Sequence, residues 1–484
     1  MTQVNPHAHT ASSSHQPLSF IEKAGYGCGD MASNLYLGVV NVFLLYYYTD
    51  IWGIDPASAA FMFLVTKIID AVSDPAMGLI ADRTQSRWGR YRPYLLWMAI
   101  PLGLLGYLLF LGPDLSTTGK LVFAYLSYSL MMLAYTAINV PYSALLAVIS
   151  PSEEERVKAT QFRFIFASLG TLLVGATTKP LVNYLGGGDE VLGFRLAMLL
   201  FSALAVLLFW ITFITTQERI QPEKQESNVK DDFAVLLENK SWIVLAIAGI
   251  LVIIGFVSRL SSVTFYAKYY MQLGEESVLW WMDGSTLIIT CGSLGQLIGA
   301  LLSPTFLKFM EKKTLMIYAN GVFALSVLAT YVLSPEQYAL TLVFYTIGIF
   351  TFGIMITLLF AMYTDCAEYG EWKSGKNNAG LTVSASMFSL KAGSAIGSAI
   401  PAAILAMFAF NAKLDTQPLE AIEGIQLMFN VVPALFFVVA GALMVAYQID
   451  QTLLAQIEKD LNARRAEKLV NQSLDQSPKE SEEA

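Results

Sequence analysis

Long apolar runs recur along the chain, and they restrict its fold more than any other feature. Each is about 20 residues or more in length, which is what a helix needs to cross the hydrocarbon core of a bilayer. The runs number about twelve and cover approximately residues 26–50, 56–81, 93–112, 121–149, 161–186, 192–215, 241–270, 280–303, 314–334, 338–364, 379–410 and 424–448. They are continuous rather than alternating, which argues against a transmembrane β-barrel. Only 14% of the 484 residues are charged, against about 25% in soluble domains, so we predict an all-α polytopic membrane protein.

The loops between the runs carry a charge bias that predicts orientation. Four arginines (Arg83, Arg87, Arg90 and Arg92) lie in loop 82–92, whereas the next loop, 113–119, has no lysine or arginine. Because basic loops stay on the cytoplasmic side of a membrane, this alternation predicts that both termini are cytoplasmic. We expect a multi-pass protein of the bacterial inner membrane.

Polar segments divide the chain. Residues 216–240 separate the runs into six and six, which predicts a cytoplasmic linker between an N-terminal half, 20–215, and a C-terminal half, 241–449. Residues 1–19 lack the apolar core of a signal peptide and are predicted to form a disordered tail. Residues 450–484 are predicted to hold a short amphipathic helix, on the membrane or on the cytoplasmic loops, followed by a disordered end.

Metal and nucleic-acid chemistry have little support in the composition. The three histidines (His7, His9 and His15) fall in the polar N-terminal tail, where a solvated segment is favoured over a metal site. The three cysteines (Cys28, Cys291 and Cys366) have no metal-ligand spacing and are interpreted as packing residues. The net charge of −8 gives no argument for a nucleic-acid partner.

Six plus six helices around a central linker is the layout of the major facilitator superfamily. In that layout a substrate site lies near the bilayer midplane between the halves. The stretch "GLIADRTQSRWGR", 78–90, resembles the superfamily's Gly-x-x-x-Asp-Arg loop, with Gly78, Asp82 and Arg83 at the matching positions. This loop predicts a gating or structural role.

Asp70 and Asp74 are the most informative polar pair within the apolar runs. They lie one helical turn apart on one face, with Ser73 beside them. Two carboxylates in a low-dielectric setting are costly unless they are protonated, paired or bound to a cation. One interpretation is a structural cluster that includes Lys67. The other is a cation site, in which oxygen ligands hold Na⁺ or the pair carries a proton.

Three further ionisable residues fall within apolar runs. Asp30, in "GYGCGDMASNLYLG", suits the wall of a polar cavity better than lipid contact. Arg163 could extend its head group to the cytoplasmic surface or close the cytoplasmic side of a cavity. Arg259 needs either a carboxylate partner or an anionic ligand, and the sequence does not choose between them.

Lys391 is the single charge in the run "SASMFSLKAGSAIGSAIP". A lysine in the middle of a span needs a carboxylate partner or a polar ligand. Asp30, Asp70 and Asp74 are the available candidates, and all three lie in the other half of the chain. A contact of this kind would give a physical route for coupling an ion to a substrate.

Two aromatic stretches carry further predictions. "AYTAINVPYSALL" combines the polar capacity added by Asn139 and Pro141 with the rings of Tyr135 and Tyr142, a mixture that suits sugars. Ordinary interhelical hydrogen bonding is the alternative. "YYYTDIW", 46–52, is interpreted as an aromatic belt at the membrane interface.

Together these motifs resemble one family. The matching stretches are "GYGCGDMASNLYLG", "YYYTDIWG", "DAVSDPAMGLIADRTQSRWGRYRPYLLW", "YTAINVPY", "QFRFIFASLG", "AEYGEWKSGKNNAGLTVSA" and "LKAGSAIG". They resemble those of the glycoside–pentoside–hexuronide:cation symporters, the group that contains the melibiose carrier. The resemblance spans about residues 20–450.

The resemblance implies a cation site. Asp70 and Asp74 match the family's cation-site carboxylates, and Thr136 matches a threonine that contributes to that site. Ser73 stands where the melibiose carrier has asparagine, so the coupling ion is left open between Na⁺ and H⁺, with Li⁺ as a further candidate.

The resemblance also implies a sugar site. Asp30 matches a sugar-binding aspartate, Arg163 matches an arginine at the sugar pocket, and Lys391 matches a lysine that links the two sites. Asn139 and Ser143 stand where the melibiose carrier has aspartate and tryptophan. The substrate implied is therefore a xyloside, a glucoside or a related oligosaccharide. Arg259 leaves a hexuronide open.

The prediction is a secondary active transporter that works as a monomer by alternating access and needs no cofactor other than its coupling ion. A cation-coupled carrier of lipids or amphiphiles on the same fold is the alternative. An enzyme reading rests on "GCGD", 27–30, which satisfies the Gly-x-Gly-Asp pattern of intramembrane aspartyl proteases. The Tyr-Asp motif that should precede it is absent.

Overall fold

The computed structural model describes residues 17–150, 152–219, 236–273, 278–279, 282–375, 379–412, 414 and 416–475. The helices of the N-terminal half are α1 (Phe20–Val39), α2 (Pro56–Arg83), α3 (Arg92–Trp97), α4 (Ala99–Leu109), α5 (Thr117–Ile149), α6 (Glu153–Gly186) and α7 (Glu190–Thr215). Those of the C-terminal half are α8 (Lys240–Phe265), α9 (Gly284–Phe306), α10 (Lys312–Tyr331), α11 (Tyr338–Ser374), α12 (Ala379–Met407), α13 (Leu419–Gln426) and α14 (Val432–Leu443), and α15 (Gln451–Asp475) follows them.

Each of the predicted apolar runs coincides with a helical stretch. Among the described residues, nine stretches are long and apolar enough to cross a membrane, and two shorter apolar helices cover Pro56–Thr66 and Ala99–Leu109. The run predicted at 93–112 is divided between α3 and α4. The all-α polytopic fold is therefore confirmed.

Several spans contain π-helical segments. The first span continues beyond α1 through Val40–Leu44 and Tyr47–Ile51. The span begun by α8 continues through Tyr266–Tyr270, and Leu427–Val431 joins α13 to α14. A π turn inserts one extra residue and changes which side chains face the neighbouring helix, and such turns are frequent at functional sites.

The loop between α2 and α3 lies at one end of the bundle, which we call the basic end. Here Glu218 accepts hydrogen bonds from the backbone N–H groups of Arg90, Tyr91 and Arg92 at 2.8, 2.8 and 3.0 Å. Asp82 accepts a hydrogen bond from the Tyr91 hydroxyl at 2.8 Å. The start of the predicted linker is thereby attached to the loop. Residues 220–235, in the middle of the linker, lie outside the described residues.

The start of α1 is also attached at the basic end. Glu155, on α6, accepts hydrogen bonds from the Leu18 N–H at 3.0 Å and from Lys158 at 3.0 Å, and it pairs with Lys23 at 2.8 Å. Hydrogen bonds from Lys23 and then Lys158 lower the pKa of Glu155 to about 2. The end of the predicted tail, 17–19, therefore contacts α6. The three histidines lie outside the described residues.

The amphipathic helix predicted after residue 449 is α15. Its apolar face is buried against the protein, with Ile457 at 0% and Leu461 at 3% exposure. Trp372, near the end of α11, donates to Asp460 at 2.9 Å, and Arg464 donates to the Trp372 carbonyl at 3.0 Å. Of the two placements that the sequence left open, these contacts favour packing on the protein.

Candidate functional site

Asp30 and Arg163 form an ion pair between α1 and α6. The guanidinium donates two hydrogen bonds to the carboxylate, from Nε to Oδ2 at 2.8 Å and from Nη2 to Oδ1 at 3.1 Å. The two side chains are only 15% and 19% exposed. A bidentate pair of this kind fixes both groups and neutralises both charges. Of the two placements that the sequence left open for Arg163, the interior one is observed.

Two tyrosine rings pack around this ion pair. The Arg163 guanidinium carbon lies 4.9 Å from the ring centroid of Tyr142 and 5.7 Å from that of Tyr26. Gly29 permits this packing, because an added Cβ would lie 2.9 Å from the Tyr142 ring carbons Cδ2 and Cζ. Gly27 packs in the same way against Phe166 on α6. The two glycines of "GCGD" thus have a packing explanation.

Asn139 joins α5 to α1 through Ser33. The Ser33 hydroxyl lies 3.0 Å from the Asn139 side-chain oxygen and 2.9 Å from the carbonyl oxygen of Gly29. One hydroxyl proton cannot fully serve two acceptors. The Asn139 amide nitrogen is buried and has no hydrogen-bond partner among the residues that the structure describes. Rotating the amide by 180° lets it donate to Ser33 while Ser33 donates to Gly29, and this leaves a carbonyl oxygen as the free group of Asn139.

Asp74 is held by both halves of the protein. Its Oδ1 accepts a hydrogen bond from the Thr136 hydroxyl on α5 at 2.9 Å. Its Oδ2 accepts one from Lys391 on α12. The carboxylate is 20% exposed and the lysine 41%. Asp74 is therefore a partner of Lys391 among the carboxylates whose side chains the structure describes, and the contact joins the N-terminal half to the C-terminal half.

The two clusters lie near each other along α5. Thr136, Asn139 and Tyr142 are spaced by three residues, so they share one face of the helix. Six residues separate the first from the last, which is about 9 Å along the helix axis. The residues of α5 that contact the two clusters therefore lie within two turns of each other.

Other predicted residues are less completely placed. Asp70 lies on α2 one turn before Asp74, but its side chain is outside the described part of the structure. Ser73 and Tyr135 are partly exposed on α2 and α5, and Ser143 is exposed. Gly78 is partly exposed near the basic end, where Arg83 is exposed. Which of these residues contact a ligand stays a prediction.

Arg259 lies apart from both clusters, inside the C-terminal half. It is 0% exposed. It donates to Thr330 at 3.2 Å, and its guanidinium carbon lies 4.9 and 4.8 Å from the ring centroids of Tyr345 and Phe429. Among the described residues no carboxylate forms an ion pair with it. These contacts favour a structural role in which aromatic faces stabilise the charge.

The stretch "YYYTDIW" departs from its predicted role. Tyr46, Tyr47 and Tyr48 are at most 1% exposed and Trp52 is 4% exposed, so the prediction of an interfacial belt is wrong. The rings pack inside the protein, where Tyr47 lies 4.9 Å from Phe110 between centroids. Composition could not separate a buried aromatic cluster from a belt, because both place tyrosine and tryptophan near the end of a span.

A helical bundle of this architecture, joined across its two halves by ion pairs, has the major facilitator fold. The solved structure of a mutant of the nucleoside transporter NupG shares this fold. It superposes with a TM-score of 0.65 at 13% identity and covers 89% of this chain and 100% of that one.

The sequence matches the family described as MFS/sugar transport protein over residues 25–451, and the chain belongs to that family. A putative glycoside/cation symporter of Escherichia coli K12, YagG, is 34% identical over 450 residues, which are 93% of this chain and 96% of YagG. The isoprimeverose transporter of Lactiplantibacillus pentosus is 29% identical over 472 residues, 94% of this chain and 96% of that protein.

Membership of this family of cation-coupled sugar symporters sets the enzyme alternative aside. In the structure Asp30, the aspartate of "GCGD", pairs with Arg163. An aspartyl protease instead needs two carboxylates that share a proton around a water molecule.

Proposed function

We propose that this protein carries a glycoside into the cell together with a monovalent cation, by alternating access. The observation that carries the proposal is the double attachment of Asp74, to Thr136 in its own half and to Lys391 in the other half. A carboxylate held in this way responds to a cation, because an added positive charge competes with the lysine for the same oxygen.

The cation would bind to the carboxylates of Asp70 and Asp74 with the hydroxyls of Ser73 and Thr136. These are hard oxygen ligands, which suit Na⁺ or Li⁺, and a proton is the alternative occupant. When the cation binds, Lys391 is released from Asp74. Its ammonium can then donate to a sugar hydroxyl, and this exchange couples the two ligands.

The sugar would bind between the halves. Asp30 and Arg163 supply paired charges, Asn139 supplies an amide, and Lys391 closes the site from the C-terminal half. Tyr135 and Ser143 lie on α5 and complete the predicted contacts. We assign the substrate to xylosides, glucosides or related oligosaccharides. Arg259 is left out of this site, because it is fully buried among aromatic rings.

The basic end is assigned to the cytoplasm. It carries the arginines of the loop between α2 and α3, and cytoplasmic loops are enriched in basic residues. Both termini would then be cytoplasmic, in a bacterial inner membrane. One chain supplies both halves of the site, so a monomer is sufficient for transport.

Uptake into proteoliposomes tests the proposal. The probes are radiolabelled isoprimeverose, a methyl xyloside, a methyl glucoside, a methyl galactoside and a glucuronide, each under an imposed gradient of Na⁺, Li⁺ or H⁺. We expect one sugar class to accumulate under one ion gradient. When an ionophore collapses that gradient, the accumulated sugar should leave the proteoliposomes. Asp74→Asn should abolish accumulation but leave the protein folded. Asp30→Ala should abolish equilibrium binding of the same sugar.

Two results would count against the proposal. Sugar uptake that is the same in the presence and in the absence of each ion gradient would exclude coupled symport. Uptake of a fluorescent phospholipid or detergent-like amphiphile that none of the sugars inhibits would favour the lipid-carrier alternative.

A further inference from the structure

Asp50 and Lys268 form an ion pair between the two halves, far from the site just described. Asp50 ends the first span and Lys268 ends the span begun by α8. The lysine Nζ lies 2.7 Å from Asp50 Oδ2. Tyr269 donates a hydrogen bond to Asp50 Oδ1. Both oxygens of one carboxylate are therefore occupied by donors from the opposite half.

The contact is too distant to serve the sugar site. Asp50 follows Asp30 by 20 residues along the same span, which is about 30 Å at the rise of an α-helix. A single glycoside cannot touch both. The Asp50 side chain is only 3% exposed. Because it lies too far from the sugar site to bind the sugar, its burial needs another explanation.

Aromatic rings surround this ion pair and close the space around it. Tyr46 lies 5.7 Å from Phe265 between ring centroids, in an edge-to-face contact across the halves. The Tyr46 hydroxyl also accepts a hydrogen bond from Lys268 at 3.3 Å. On the other side, Tyr269 lies 5.4 Å from Phe410. These rings shield the carboxylate, which is 3% exposed, more than the ammonium of Lys268, which is 28% exposed, and the lower local dielectric strengthens their attraction.

The backbone at this contact is irregular in both halves. Asp50 lies in the π-helical segment Tyr47–Ile51 and Lys268 in the π-helical segment Tyr266–Tyr270. About two turns deeper, Ser261 donates a hydrogen bond across the halves to the carbonyl of Asn41 at 2.7 Å. The first span of each half thus departs from regular α-helix where the two halves meet.

We propose that Asp50, Lys268 and Tyr269 form a gate that holds the halves together at the end opposite the basic end. The inference rests on the proposed function, since alternating access requires the halves to separate at each end in turn. When this end opens, the carboxylate and the ammonium become hydrated and the aromatic contacts part. The gate therefore sets how often the sugar site faces the side opposite the basic end.

Distance measurements by pulsed electron paramagnetic resonance test the gate without any substrate. Spin labels are placed at Leu115→Cys, in the loop before α5, and at Ser334→Cys, before α11. Both positions are exposed or partly exposed and lie near the gate, since Trp52 donates to Pro113 and Tyr270 donates to the Leu333 carbonyl. The full chain is used, with its three cysteines replaced by alanine.

Lys268→Met and Asp50→Asn should each raise the population with a long distance between the labels, relative to the population with a short one, by about tenfold. This change corresponds to about 1.4 kcal/mol. Exchanging the charges, Asp50→Lys with Lys268→Asp, should restore the short distance. Arg195→Gln is the matched control. It removes a positive charge at the same end, but Arg195 bonds to Leu111 within the N-terminal half, at 2.9 and 2.5 Å. It should leave the distribution unchanged.

If either charge variant fails to fold, Tyr269→Phe provides the test. It removes one hydroxyl and should shift the ratio by about threefold. Unchanged distances in the folded variants, or a charge exchange that behaves like the single variants, would overturn the gate. A failure of sugar uptake would not alter these distances, so the proposed function and the gate are tested separately.

Discussion

Replacing Lys391 by methionine should tighten the binding of the coupling cation. In the structure the lysine ammonium occupies Oδ2 of Asp74, while Thr136 occupies Oδ1. A cation that binds there must first displace the ammonium. Methionine keeps most of the volume of the side chain but has no charge, so this competition disappears.

The size of the effect follows from the exposure of the pair. Lys391 is 41% exposed and Asp74 20%, so solvent screens much of their attraction. Exposed ion pairs are worth about 0.2–1 kcal/mol, and only fully buried ones reach several kcal/mol. We take about 1 kcal/mol, which predicts an affinity for the cation that is about fivefold higher in Lys391→Met.

The assay is equilibrium binding of ²²Na⁺ to purified protein in choline chloride, with Li⁺ as competitor. Lys312→Met is the matched control, because Lys312 pairs with Asp365 at 2.7 Å and is similarly exposed, at 31%, but lies away from Asp74. Its affinity for Na⁺ should equal that of the wild type. A lower affinity in Lys391→Met would refute the competition and make the lysine a supporting group of the cation site.

Three further predictions concern other contacts. Arg163→Lys replaces the planar guanidinium by a single ammonium, which cannot reproduce the two parallel hydrogen bonds to Asp30, so the KM for the transported sugar should rise about tenfold or more; an unchanged KM would remove the pair from the sugar site. The pKa of Glu155 is lowered to about 2 from 4.5 by Lys23 and Lys158, so its stabilisation is present above about pH 4.5 and is lost as the pH falls towards 2. The drop in melting temperature from pH 7 to 3.5 should therefore be smaller in Glu155→Gln, and equal drops would contradict this assignment. Arg259→Met should leave the KM for a glucuronide and for a neutral glycoside unchanged, whereas a selective loss of glucuronide uptake would place Arg259 in the substrate site.

Much of the site could be predicted because ionisable groups in apolar runs are conspicuous. Asp74 and Lys391 are both conspicuous in this way, and the cost of leaving either charge unpaired in a membrane predicts that each has a partner. The sequence gives a weaker indication of the gate. Asp50 and Lys268 lie near the ends of their runs, where charges are common, and each is surrounded by tyrosines that also suit a membrane interface.

The sequence by itself determined that the chain is an all-α membrane protein, where its apolar helices lie, and the class of protein. These follow from local properties, since a run of apolar residues must form a helix in lipid whatever surrounds it. Only the tertiary structure decided the partners: that Asp30 pairs with Arg163, that Lys391 contacts Asp74, and that Arg259 is enclosed by aromatic rings. Pairing depends on which helix faces meet, and residues that meet can be hundreds of positions apart in the chain.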